Sequence, residues 1–334
     1  MAVNSRQFAE TPRPAKVLSI DGGGVRGLSA LLILEKMMQG IQQSRNLATT
    51  PKPCHEFDLI GGLLLHSVIA IMLGRMGMSV DECIRAYTKF SKKAFHRKMS
   101  ILGSTSAFSA TKFNNAIKTA IQDHGGNPED LLFCDPSCTK TAVLAVTKNN
   151  VDTLPILFKT YGQNDDNISD CKAWEVARAT TAAVGFFKSV KIGRDNIEYI
   201  DAAFGHNNPC EMLIAEATKQ FPGRGLVVLS IGTGIGDVIE INEARPIAKA
   251  LENMATSSKH AAMRMKTAYS DSNAYHRFNV ESGLKDITLW DWERTSQISA
   301  HTKNYLRENE EAVKKFMDVM AWISAQQHVL ELDG

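Results

Sequence analysis

Phe57-Asp58-Leu59-Ile60-Gly61-Gly62-Leu63-Leu64-Leu65-His66-Ser67-Val68-Ile69-Ala70 decides how the chain is read. Apolar residues run into a glycine pair and out again into a second apolar stretch. That pattern predicts a buried strand, a sharp turn at Gly61-Gly62 and a helix. Such an elbow lifts one side chain clear of a sheet, beside a helix N-terminus, which suits a nucleophile. Here the tip is Leu63-Leu64-Leu65. The shape points to covalent catalysis; the residues at its tip do not.

On the N-terminal side, Lys16-Val17-Leu18-Ser19-Ile20 reads as a short strand running into Asp21-Gly22-Gly23-Gly24-Val25-Arg26-Gly27, followed by helical periodicity over 28–41. On the C-terminal side, Ser79-Val80-Asp81-Glu82 fits a capping box opening a helix to about residue 95. A further helix is expected over 110–123, stopped by Gly125-Gly126, then two antiparallel strands over 141–147 and 155–161. A helix over 171–181, a strand over 198–201, a helix over 211–220 and a buried strand over 225–234 complete the pattern. From Pro246 onward the expectation is mainly helical, with 275–280 the exception. Alternating strands and helices imply an α/β sandwich with a mostly parallel sheet. The loops at 21–27, 61–66 and 232–236 follow strands directly, and the functional crevice of such folds lies at the carboxyl ends of the strands. The expected organisation is a flexible lead over 1–14, one α/β domain over 15–235 and a mainly helical region over 236–334 packed on it.

Composition sets bounds. A hydrophobic content of 44% and a charged content of 22% are globular values, and 334 residues can bury a sizeable core. A net charge of +2 gives no nucleic-acid footprint. The apolar run 68–73 is far short of the roughly 20 residues of a membrane span. The polar start Met1-Ala2-Val3-Asn4-Ser5 lacks a signal-peptide core, so the expectation is a cytoplasmic protein. Six scattered cysteines read as free thiols, and Cys134-x-x-x-Cys138, with no second pair, does not make a zinc site.

Two motifs carry chemistry. Gly22-x-Gly24-x-x-Gly27 matches a dinucleotide fingerprint in spacing, but that reading wants an acidic residue ending the next strand, and Asp58 stands too early. The alternative is an anion or oxyanion nest of consecutive backbone N–H groups at a helix start, with Arg26 adding charge. Asp201 closes a strand before Ala202 and Ala203, a candidate base near a second strand-end loop. Its competing role is a turn or cap residue.

Taken together, Asp21-Gly-Gly-Gly-Val-Arg-Gly27, Phe57-Asp-Leu-Ile-Gly-Gly62, Asp201-Ala-Ala with Asn207-Asn-Pro209, and Ser230-Ile-Gly-Thr-Gly234 resemble the patatin-like phospholipase family. Ala177-Arg-Ala-Thr-Thr-Ala-Ala183 fits the helix end before the family's aspartate strand, and the match runs over about 15–235 in the expected order. The resemblance implies a three-layer α/β/α lipid acyl hydrolase with a Ser–Asp dyad, no metal and no cofactor. It implies Gly22, Gly23 and Gly24 as the oxyanion hole, Arg26 as its support and Asp201 as general base. The implied partner is a lipid or a membrane surface, met by peripheral contact; the oligomeric state is open.

The family elbow reads Gly-x-Ser-x-Gly, which falls here on Gly62-Leu63-Leu64-Leu65-His66. Leu64 therefore holds the nucleophile position, and an alkyl group cannot form an acyl-enzyme. His66 replaces the second glycine and is expected to crowd the elbow and loosen its turn. Leu63, Leu64 and Leu65 are expected to lengthen the buried helix into the space of an active site. Ser67 lies three positions past the tip, nearly one helical turn of about 5.4 Å, too far to share the same base and oxyanion hole. Val184 stands where the family often has proline, and His206 reads as satisfying turn backbone groups, with shaping of the Asp201 loop as the alternative. Trp290, Trp292, Tyr305, Phe316 and Trp322 read as packing residues of the tail, with a membrane-contact surface as the sharper alternative. Two functions remain: an ester hydrolase of phospholipids or acylglycerols, and a non-catalytic relative that binds lipid or a protein partner. Inactivity is favoured because the hydroxyl is missing. Nucleotide binding through Gly22, Gly24 and Gly27 is a remote third.

Overall fold

The computed structural model describes residues 12–95, 108–150, 154–162, 168–183, 186–202, 208–234, 245–270, 272–284 and 286–332. The first strand, β1 (Ala15–Ile20), is buried at every position. Strand β2 (Leu59–Gly62) pairs with it in parallel on one side, and β7 (Leu226–Ile231) on the other. Strands buried on both faces read as continuous apolar runs, which is why Val-Leu-Ser-Ile and Leu-Val-Val-Leu were legible as strands. The remaining members are β3 (Lys140–Thr147), β4 (Ile156–Lys159), β5 (Val190–Ile192), β6 (Ile197–Asp201) and β8 (Tyr275–Phe278). The antiparallel β3–β4 pair is as expected. Short β5, with alternating polar residues, escaped the sequence reading; it forms a hairpin with β6 through Gly193 and Asn196, both at positive φ. Strand β8 extends the sheet in parallel beyond β7, so the region after residue 235 contributes an edge strand.

Alternate residues divide the sheet between two helical layers. One face, with Val17, Leu59, Ala142 and Val228, packs on α7 (Cys210–Gln220) through Cys210, Leu213 and Ala217. The other face carries α1 (Gly27–Ser44), α3 (Leu65–Ala70), α4 (Val80–Ala94), α5 (Ala110–Asp123) and α6 (Ala173–Thr180) over Leu18, Ile20, Ile60 and Val143. A short α2 (Pro53–Glu56) precedes β2, and α8 (Arg245–Ala268), α9 (Thr295–Glu308) and α10 (Glu310–Leu332) follow β7. This is the three-layer α/β/α sandwich. The capping box stands at the start of α4: Ser79 Oγ accepts from Glu82 N at 3.2 Å and Glu82 Oε2 from Ser79 N at 2.7 Å.

One detail of register positions the site. Ala145 pairs with Ile156 of β4 and with Asp201 of β6, while Val143 pairs with Phe158 of β4 and with Gly62 of β2. A strand residue has one neighbour on each side, so β2 and β6 lie along the same edge of β3. They run toward each other and stop two β3 residues apart, about 7 Å. Paired residues share a face, so Gly62 and Asp201 both face the α3 layer.

In the tail, Trp290 joins Phe108 and Phe186 at ring separations of 6.0 and 5.5 Å, Phe316 is buried, and Tyr305 Oη accepts from Asn279 N. Trp322 is instead 56% exposed. Val184, Ala203, His206 and Asn207 lie outside the described residues.

Candidate active site

Gly61 and Gly62 belong to β2, so the turn falls later than the glycine pair predicts, at Leu63-Leu64. Leu64 holds it with φ 56° and ψ −138°, a conformation that costs an L-residue about 1–3 kcal/mol. Helix α3 begins only at Leu65, so the leucines do not lengthen it backward as expected. Gly62 is required by close approach: a Cβ there would lie 2.5 Å from the His66 carbonyl. The turn is retained with His66 in place. The imidazole leaves the elbow and fills the space beneath the loop after β1, where its Nδ1 meets the Asp21 carbonyl and its Nε2 the Gly24 carbonyl at 3.0 Å. It is fully buried, and burial lowers its pKa below the ordinary histidine value, against the pull of those two carbonyls. A neutral ring has one N–H. Tyr87 Oη already donates to Gly24 O at 2.7 Å, so the economical tautomer carries its proton on Nδ1, toward Asp21.

Leu63 and Leu64 are 0% and 4% exposed, so the tip of the elbow is closed by alkyl groups. Ser67 is fully buried, and its Oγ donates back to the Gly62 carbonyl at 3.1 Å. Its hydroxyl is engaged in holding the first turn of α3. Asp201, 5% exposed, ends β6 opposite the end of β2, and its N–H reaches Ala182 O just beyond α6. Asp201 and the elbow thus stand at the facing ends of β6 and β2, along one edge of β3.

The loop after β1 is held from several directions. Gly24 has φ 59°, and a Cβ there would lie 2.1 Å from Leu289 O, so only glycine fits. Val25 N donates to that same Leu289 carbonyl at 2.8 Å. Thr233 Oγ1 donates to Gly22 O at 2.7 Å. Among the described residues, no backbone acceptor takes the N–H of Gly22 or Gly23. Arg26 turns outward from the loop and donates from Nε to Ile287 O and from Nη1 to Gly234 O, both at 2.9 Å. Burial lowers its pKa to about 10, partly offset by Asp291. It braces the loop against the segments after β7 and β8.

A network missed in the sequence lies on the opposite face. The buried Asp21 carboxylate accepts from Arg277 Nη2 and from Ser258 Oγ, each at 2.6 Å, and Arg277 Nη1 donates to Ser230 Oγ at 2.7 Å. Burial alone would pull the Arg277 guanidinium down, but Asp21, with Tyr275 and Cys210, holds it above the usual arginine value. No sequence signal announces this network: Ser19, Ser230 and Arg277 become direct neighbours only through the strand register. Asp58, the acid a nucleotide reading would need, stands before β2 and is spent on Lys16 N at 2.8 Å, Arg13 at 2.9 Å and Arg224 at 3.3 Å. Among the described residues no His, Cys, Asp and Glu cluster could hold a metal ion, and no helix is long and apolar enough to cross a membrane.

The chain is 27% identical over 327 residues to calcium-independent phospholipase A2-gamma of Mus musculus, covering 92% of this chain and 40% of that protein. The human protein of the same name is 26% identical over 328 residues, with the same coverage. The chain thus spans about two fifths of the length of these relatives. It is 22% identical over 246 residues to the probable inactive patatin-like protein 9 of Arabidopsis thaliana, covering 67% of this chain and 62% of the relative. Among solved structures, human GIVD cytosolic phospholipase A2 in complex with an inhibitor matches with a TM-score of 0.47 at 10% identity, over 91% of this chain and 60% of that one. The sequence profile of patatin-like phospholipases matches residues 18–214, from β1 through the glycine loop, elbow and β6 to α7. With more than half of its length inside that match, the chain belongs to the patatin-like phospholipase family.

Proposed function

We propose that this chain is a lipid-binding member of the family whose ester-hydrolysing step is disabled at Leu64. The observation that carries the reading is the elbow. Its backbone turns at Leu64 with φ 56°, after the strand whose end faces the Asp201 strand along β3, yet the side chain there has no lone pair. In the hydrolytic version of this site, a hydroxyl at position 64 would attack the ester carbonyl. Asp201 would take its proton, amides of the Gly22–Gly24 loop would hold the oxyanion, and Arg26 would brace that loop. Without the hydroxyl no acyl-enzyme forms, and the remaining groups can only bind. The proposed ligand is a phospholipid or acylglycerol met at a membrane surface. That a relative is named as probably inactive fits a family in which the fold outlives the chemistry.

The test has two arms. The chain is expected to give no turnover of a short-chain p-nitrophenyl ester and no labelling by a fluorophosphonate; labelling at Ser67 would overturn the reading. Leu64→Ser combined with Leu65→Ala and His66→Gly is expected to gain hydrolysis by at least about 100-fold over the unaltered chain, and Asp201→Asn to abolish that gain. A folded triple variant that stays inert would remove Asp201 from its assigned role.

A further inference from the structure

The carbonyls of the glycine loop are held from different sides, and a trans peptide sends the N–H of the next residue opposite to the carbonyl. Strand β1 has β7 on one side and β2, with the elbow, on the other. The Asp21 carbonyl is held by His66, which belongs to the elbow side. The Gly22 N–H on the same peptide plane therefore points away from the elbow. The next plane is reversed. Thr233, just past the end of β7, donates to the Gly22 carbonyl at 2.7 Å and is itself 2% exposed. That carbonyl faces the β7 side, so the Gly23 N–H faces the elbow, and among the described residues no backbone acceptor takes it.

We infer that Gly23 supplies the loop amide aimed at the elbow and that Thr233 is the positioning residue that aims it. This rests on the reading of the loop as an oxyanion site and narrows it from three glycines to one peptide plane. The hydroxyl is the part of Thr233 that matters, since it fixes the plane through one short hydrogen bond. Its own position is secured by the strand register of β7 and by the loop's return contacts, Gly234 N donating to Asn279 Oδ1 at 2.8 Å and Arg26 to Gly234 O. Thr233 would touch neither ester nor nucleophile; it acts through the backbone of Gly22-Gly23.

Two readouts separate this inference from the reading it rests on. In the chain as it stands, the Gly23 amide resonance of the glycine-labelled protein is expected to move in Thr233→Val, which keeps the shape and loses the donor, and to return near its original position in Thr233→Ser. In the Leu64→Ser, Leu65→Ala, His66→Gly background, Thr233→Val is expected to lower kcat about tenfold or more with KM within about twofold, and Thr233→Ser to restore most of it. If Thr233→Val does not fold, Thr233→Ala supplies the same loss of donor. An unmoved Gly23 resonance, or a kcat that Ser does not rescue, would overturn the inference. An inert background with a responsive Gly23 would instead count against the hydrolytic reading and leave the role of Thr233 standing.

Discussion

The loop at 21–27 and the elbow at 62–67 face each other across the carboxyl ends of β1 and β2, and they have fared differently. In the loop, glycine backbone is held from several sides: Thr233, Tyr87 and His66 meet its carbonyls, and Arg26 and Arg277 anchor its ends. In the elbow, a left-handed turn is held around an alkyl side chain: Leu64 has φ 56°. The difference teaches that an elbow's backbone is imposed by its surroundings. Strand β2 is fixed by β1 and β3, and α3 packs directly on Gly62. Leu64, between them, takes the turn although it is not glycine.

The first way to break this comparison is to disturb the loop, where a large loss is expected. Gly24→Ala forces a β-carbon against Leu289 O in a left-handed backbone, and strain plus overpacking are expected to cost about 3 kcal/mol or more. Urea unfolding would show it as a lowered midpoint. A midpoint equal to the unaltered chain's would mean that the loop is looser than its contacts imply. At the elbow the two leucines should respond differently from each other. Leu63, fully buried and outside the positive-φ set, is expected to lose about 2–5 kcal/mol on Leu63→Ala. Leu64→Gly removes roughly 1.5–3 kcal/mol of burial but relieves about 1–3 kcal/mol of strain, so it should be close to neutral. Equal losses at the two positions would show that Leu64 is not strained.

How much of this was legible follows the range of the forces. Elements fixed by local pattern were readable: the Ser79 capping box, the helix over 110–123 and the continuous apolar strands all stand where the sequence puts them. The family elbow could be aligned, but its conformation could not, because the turn is set by β3 and α3 rather than by its own residues. Gly61-Gly62 looked like the turn and proved to be strand, since glycine also serves where a helix comes close. Arg277 was unreadable for a similar reason. Its partner Asp21 is 256 residues away, and only the parallel pairing of β7 with β8 brings them together. The fate of His66 was misjudged because a sequence shows the volume of a side chain and not the hollow available to it.

That histidine supplies the smallest and sharpest test of the comparison, because it joins the two regions. In the folded chain its ring is neutral, burial having lowered its pKa, with Asp21 O, Gly24 O, the Tyr87 hydroxyl and the nearby Asp21 carboxylate around it. In the unfolded chain the same ring titrates near its ordinary value of about 6.5. As pH falls below that value the unfolded state takes up a proton that the folded state refuses, so stability must decline toward acid. The contribution is fully present above about pH 6.5 and is lost at up to roughly 1.4 kcal/mol per pH unit until the lowered folded pKa is reached. His66→Gln cannot titrate. Its stability, offset at pH 8 by whatever the loop loses, should therefore fall less steeply between pH 6.5 and 5 than that of the unaltered chain. Parallel pH profiles for the two proteins would mean that the folded ring takes up its proton as readily as the unfolded one. The elbow would then reach the glycine loop through a solvated side chain, and the neutral clamp between Asp21 and Gly24 would have to be given up.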